Sequence, residues 1–269
     1  MQLNGARILL TGAGGGLGQA LAQALAEAGA SLLLVGRDQK KLATLAVNLA
    51  GGGQEVSTLA VDLKQPADVA RLVEEAGRFQ TDVLINNAGI NAFGLFEQQD
   101  WARVADVLET NLAAPMRLTH ALLSLLQSRE RAAIVNIGST FGSLPFPGFA
   151  AYSAAKAGMK GFSQALRREL WQERADGRIE VIYVAPRAID TPLNTPAVNA
   201  LNADLGSKSD SPEAAARQIV AALAAGRGET YLGFPERLFA WLNGVAPALI
   251  DRALKPKLAI VKRHARPAI

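Results

Sequence analysis

The stretch RILLTGAGGGLG, residues 7–18, decides the fold. Arg7 to Thr11 is a short, apolar, β-rich run, and a helical pattern starts at Gly16, so the glycines between them sit in a strand-to-helix turn. Glycine allows unusual backbone angles and close approach of a ligand, while free amides at a helix N-terminus favour negative charge. By its location this turn is a cradle for a dinucleotide diphosphate, with Gly15 and Leu17 nearest the phosphates. Glycines 12, 16 and 18 do not match the G-x-G-x-x-G spacing, so that fingerprint is not claimed, and a simple tight turn is the bland alternative.

The same alternation continues along the chain. Strand-like runs at 31–35, 56–61, 83–86, 132–138, 179–184 and near Thr230 are separated by helical stretches beginning near Gly16, Gln39, Pro66, Gln99, Ala150 and Ser211. Short strands alternating with longer helices predict an α/β fold. It is a doubly wound parallel sheet of the Rossmann type, with ligands at the strand C-termini. With 269 residues and 49% hydrophobic composition, the chain reads as one domain. Residues 1–233 form the dinucleotide-binding and catalytic body, and 234–269 an apolar and basic helical extension.

Composition narrows the chemistry. There is no cysteine and only two histidines, His120 and His264, which argues against thiolate chemistry and metal sites. The net charge of +4 comes without a basic groove or aromatic platform, so no nucleic-acid partner is expected. The opening residues lack the layout of a signal peptide, and no apolar run reaches the ~18 residues of a spanning helix, so the expected location is cytoplasmic.

The second strand ends in LVGRD, residues 34–38. An acid at this place binds ribose hydroxyls in an NAD enzyme, whereas an arginine pairs with the 2′-phosphate of NADP. Both types are present. Asp38 is well placed as the N-cap of the next helix, and Gly36 leaves room without repelling phosphate, so Arg37 and NADP(H) are favoured.

Tyr152 and Lys156 lie four residues apart, on one face of a helix. A carbonyl that accepts hydride must also receive a proton, and a tyrosine can exchange one when a cation stabilises its phenolate. Ser139, at the end of the fifth strand-like run, can hold the substrate oxygen. Alone, a Tyr/Lys pair at this spacing is usually only a surface pair; the glycine turn and Ser139 change its meaning.

From Leu3 to Tyr231 the sequence resembles the short-chain dehydrogenase/reductase family. The motifs are Thr11, Gly12, Gly16 and Gly18; Asp62 with Leu63; the Asn-Asn-Ala-Gly segment at 86–89; Asn111; and Ser139, Tyr152 and Lys156. The resemblance implies a nicotinamide-dependent oxidoreductase that forms homo-oligomers. It implies that Asp62 lies beside adenine and that Asn87, Ala88 and Gly89 contact cofactor. It also implies that Asn111 supports a water relay, and that Lys156 holds the nicotinamide ribose and lowers the Tyr152 pKa. After the sixth strand the family pattern is Pro-Gly and then threonine, whereas this chain has Pro186, Arg187, Ala188, Ile189, Asp190 and Thr191. Pro186, Ile189 and Thr191 can still border nicotinamide and diphosphate, while Arg187 is either an added diphosphate or substrate contact or an outward, solvated side chain.

Two apolar segments, 141–149 and 193–205, read as pocket wall and mobile lid, which suits a hydrophobic carbonyl or alcohol: a long-chain aldehyde, a ketone or a 3-oxoacyl group. The alternative is that Phe141, Phe146 and Phe149 merely pack under the loop or at a subunit contact. The tail from Phe234 interleaves large apolar residues with Arg252, Lys255, Lys257, Lys262, Arg263 and Arg266. It is either a peripheral membrane contact or a helix packing on its own core or on a second subunit. An idle NADP(H)-binding sensor or scaffold is the competing class, because fold does not establish activity. The full set of Asn111, Ser139, Tyr152 and Lys156 argues against it.

Overall fold

The computed structural model of the chain describes residues 1–171 and 179–265; Arg266, one of the tail's basic residues, lies outside them. Seven strands form one parallel sheet: β1 (Arg7–Thr11), β2 (Ser31–Gly36), β3 (Val56–Ala60), β4 (Val83–Asn86), β5 (Ala132–Ile137), β6 (Ile179–Ala185) and β7 (Glu229–Tyr231). Their spatial order is β3-β2-β1-β4-β5-β6-β7. The order reverses between β1 and β4, and at such a switch point the connections leave to opposite faces and open a crevice.

Alternation along the strands feeds two cores. Ile8, Leu10, Leu32 and Leu34 face α1 (Gly16–Glu27) and α2 (Gln39–Leu49), together with α8 (Pro212–Ala224). Leu9, Leu33 and Leu84 face the other way, toward α3 (Pro66–Arg78), α5 (Ala114–Gln127) and α6 (Ala150–Glu169). Because both faces are covered, the strands are apolar on both sides.

A buried polar chain fixes α6 to the sheet. The Asn86 amide donates to Thr119 Oγ1 and Asn136 Oδ1, and the Asn136 amide donates to Ser163 Oγ at 2.8 Å. That registers the helix carrying Tyr152 and Lys156 against β4 and β5.

The helix expected from Gln99 is broken. Asp100 caps α4 (Trp101–Leu108), a widened π turn covers Glu109–Ala113, and α5 follows with Pro115 in its first turn. Proline lacks the N–H that would close on the Asn111 carbonyl four residues earlier, which is the local cause of the break. The segment expected as a lid contains α7 (Pro196–Asp204), whose Val198 and Leu201 are buried. The tail forms α9 (Phe234–Val245), α10 (Pro247–Leu254) and α11 (Leu258–His264), and it is docked on the body through Val261, which is completely buried beside Phe149, Val198 and Leu201. Arg263 and His264 reach Asp204 at 3.2 and 2.8 Å, tying α11 to α7.

Candidate active site

A cleft of about 1480 Å³ opens along the C-terminal ends of the strands. Its first wall is the glycine turn. Thr11 Oγ1 donates to the Ile85 carbonyl and accepts from the backbone N–H groups of Asn87 and Ala88, at 3.0 and 3.1 Å, while the Asn87 side-chain amide donates to the Thr11 and Gly12 carbonyls. This lashes the ends of β1 and β4 together at the switch point. Gly12 has φ +66°, and a Cβ on it would stand 2.8 Å from the Ala88 Cα. Only glycine fits there. Gly16 faces Thr191 across 3.1 Å of would-be Cβ contact, so the loop after β6 closes over the start of α1.

The next wall is basic. Arg37 is exposed and, among the described residues, forms no ion pair. Asp38 spends its carboxylate on the Lys40 and Lys41 amides as the cap of α2. Lys40 and Lys41 also line the cleft, and Lys41 stacks on Gly14; the sequence reading missed both, although their charge next to Arg37 was the available signal. Beyond them Asp62 and Leu63 follow β3, and Gly89, Pro186 and Ile189 continue the lining toward the tyrosine.

Ser139, Tyr152 and Lys156 converge at the far end of the cleft. Ser139 stands beside the Tyr152 phenol and acts to lower its pKa, and it is propped from behind by Tyr183, whose hydroxyl donates to the Ser139 carbonyl at 3.3 Å. Tyr183 occupies the space that side chains at Gly138 and Gly142 would need, a fit invisible in sequence. Lys156 is buried, with Nζ donating to the Ile137 carbonyl at 2.8 Å and standing 5.7 Å from the Tyr152 ring centroid. Burial lowers its pKa to about 8. An ammonium has three protons to donate and the carbonyl takes one, so donors remain for a polyol at this spot.

The Tyr152 phenol is raised above its ordinary pKa, because burial outweighs the lowering effect of Ser139. Asn111 is buried and does not line the cleft. Its side chain accepts from the Ile90 amide and donates to the Ile90 carbonyl, both at 2.8 Å, so the side chain fixes the strand-end loop.

Arg187 lines the cleft, and its guanidinium is held in ion pairs rather than turned out to solvent. Its Nε donates to Asp210 Oδ2 at 2.8 Å and a second nitrogen to Oδ1, with Glu236 of α9 3.9 Å away. A bidentate carboxylate fork suits guanidinium geometry, so this cation staples the loop after β6 to the approach of α8 and to the tail.

The aromatic segment is wall and core at once. Phe141 and Phe149 line the cleft and pack 5.0 Å apart by centroid, with Phe93 against Phe149 and Phe146 stacked on Phe141. The edge of this cluster meets the Tyr152 ring at 6.4 Å. Phe239, Glu236 and Lys257 add a border supplied by the tail, which the sequence reading placed outside the catalytic body.

The comparisons agree with this architecture. Residues 6–202 match the family model described as short chain dehydrogenase. Nodulation protein G of Rhizobium sp. (strain N33) is 39% identical over 194 residues, covering 71% of this chain and 76% of the relative. The 3-oxoacyl-acyl-carrier-protein reductase FabG of Escherichia coli (strain K12) is 33% identical over 195 residues, 72% of this chain and 77% of its own. A crystal structure of a short chain dehydrogenase from Burkholderia cenocepacia J2315 in complex with NADP superposes with a TM-score of 0.78 at 26% identity, covering 94% of this chain and 99% of that one. With a family match across most of the chain, and with the glycine turn and the Ser139, Tyr152 and Lys156 cluster at two ends of one cleft, this protein belongs to the short-chain dehydrogenase/reductase family of oxidoreductases.

Proposed function

We propose that the chain is an NADPH-dependent reductase of hydrophobic carbonyl compounds, with 3-oxoacyl groups the preferred class and long-chain aldehydes and ketones next. The observation that carries this reading is a half-buried Tyr152 beside Ser139 and Lys156 in a cleft walled by Phe141 and Phe149. The cofactor residues fit NADP(H): side chains at Gly12 and Gly16 would fill the cradle, and Arg37, Lys40 and Lys41 supply uncompensated positive charge beside a capped Asp38. The 3-oxoacyl relative and the NADP-bound neighbour support the same choice.

In this mechanism Gly12, Gly15, Gly16, Leu17, Gly18 and Thr191 hold the diphosphate, Asp62 and Leu63 the adenine end, and Asn87, Ala88, Gly89, Pro186 and Ile189 the remaining edge. Bound NADPH supplies the hydride. Ser139 orients the substrate carbonyl oxygen, and Tyr152 donates its phenolic proton to that oxygen as the carbon is reduced. The raised phenol pKa keeps that proton in place at neutral pH, the state a donor needs. Lys156 directs its free N–H groups at ribose hydroxyls, and its charge stabilises the phenolate left behind. Asn111 contributes through its main-chain carbonyl, the group Pro115 cannot bond, to a water path that returns a proton.

The test is a panel of carbonyl and alcohol compounds of increasing chain length, run with NADPH and with NADH. Rates rise with chain length, NADPH is preferred, and Arg37→Ala raises the KM for NADPH by ~tenfold or more while leaving that for NADH unchanged. Falling rates with length contradict the hydrophobic substrate, and a preference for NADH contradicts the role of Arg37.

A further inference from the structure

The tail helix α9 has two unlike faces. Glu236, Ala240 and Asn243 look inward: Glu236 borders the cleft, Ala240 is buried, and the Asn243 amide donates to the Ser143 carbonyl at 3.0 Å, while Phe239 borders the cleft from the side and is 46% exposed. Opposite them, Phe234, Leu238, Trp241 and Val245 follow each other at steps of four, three and four residues. That spacing confines them to an arc of about 60° on a helix. They are 78%, 50%, 63% and 61% exposed, and Leu249 on α10 extends the row at 53%. No described part of the chain covers them, although docking of the inner face fixes the helix and its orientation.

The charge of the tail that carries this row is one-sided. Between 234 and 265 there are six lysines and arginines against two carboxylates. One carboxylate, Glu236, is turned to Arg187, and one cation, Arg263, is paired with Asp204. Arg237, Arg252, Lys255, Lys257 and Lys262 are exposed and form no ion pairs among the described residues. Among the described residues no helix is long and apolar enough to cross a membrane.

We propose that the outer face of α9 and α10 is a docking surface for an anionic lipid bilayer, lying in the plane of the interface. A large apolar face with a tryptophan enters the headgroup boundary, while flanking cations meet lipid phosphates. Charge complementarity selects this occupant over a second copy of the chain, since two tails meeting face to face bring like charges together. Because Phe239 and Lys257 border the cleft, docking sets its mouth beside the bilayer. Binding to lipid is read without turnover, so this surface and the reductase reading stand or fall separately.

The experiment is flotation of the full chain with vesicles of phosphatidylcholine alone and of phosphatidylcholine mixed with phosphatidylglycerol. The protein floats with the anionic vesicles, and the bound fraction falls ~tenfold or more on neutral vesicles or in high salt. The double variant Leu238→Glu with Trp241→Glu loses flotation ~tenfold or more while NADPH binding and melting temperature stay unchanged. Trp241→Ser alone gives the same direction should the double variant fold poorly. Failure of the unaltered protein to float, or equal flotation of a folded variant, overturns the proposal. So does a dimer in sedimentation that the variant dissociates without any lipid binding, which assigns the face to a second copy.

Discussion

Replacing Tyr152 by phenylalanine lowers kcat by ~100- to 10,000-fold, the range general acid catalysis contributes, while NADPH binds as before. The substitution removes one oxygen from a half-buried ring whose packing is set by Phe141 and by α6, so the fold and the aromatic wall survive. It takes away the phenol that stands beside Ser139 on the cleft side, since Tyr183 lies behind Ser139 in the core and its own pKa is raised strongly by burial. The check is a steady-state assay beside a fluorescence titration of NADPH. A loss confined to kcat marks an interaction made in the transition state. Near-normal turnover in the variant removes Tyr152 from the mechanism.

Gly18→Ala costs the fold as well as the site. Gly18 is buried in the first turns of α1, and a Cβ there would fall on the Gly12 carbonyl oxygen, with the Ala13 Cα 2.9 Å away. Both obstacles are backbone, and Gly12 is held by Asn87, so no side chain can swing aside. Overpacking against fixed backbone costs ~3 kcal/mol, a fall in melting temperature of about 6 °C for a chain of this size. NADPH affinity drops with it, because the turn must shift to admit the methyl group. Thermal unfolding with and without NADPH reads both effects; an unchanged melting temperature contradicts the close approach of α1 to the turn.

What the sequence disclosed was local. The limits of β1 and β4, the turn between β1 and α1, the Asp38 cap and the pairing of Tyr152 with Lys156 all depend on neighbours within a few residues, and periodicity carries that information. What it withheld depends on partners far along the chain. Arg187 meets Asp210 and Glu236, Tyr183 props Ser139, and Val261 of the tail closes on Phe149. Residue spacing carries no trace of such pairs. The split of α4 from α5 was legible in principle, since Pro115 marks it, but the helical pattern on both sides masked the break. The Asn111 side chain shows a third case: the position was recognisable by family resemblance, while its actual partners, both on Ile90, required the fold.

The central claim is that this chain moves hydride from NADPH to the carbonyl carbon of a hydrophobic substrate. It is tested most directly by incubating the purified protein with a 3-oxoacyl thioester and NADPH carrying deuterium at the transferred position, then weighing the product by mass spectrometry. The account predicts a 3-hydroxyacyl product with one deuterium on the carbinol carbon. Loss of the labelled cofactor without deuterium in the product, or no reduction of this or any long-chain carbonyl despite NADPH binding, would contradict it.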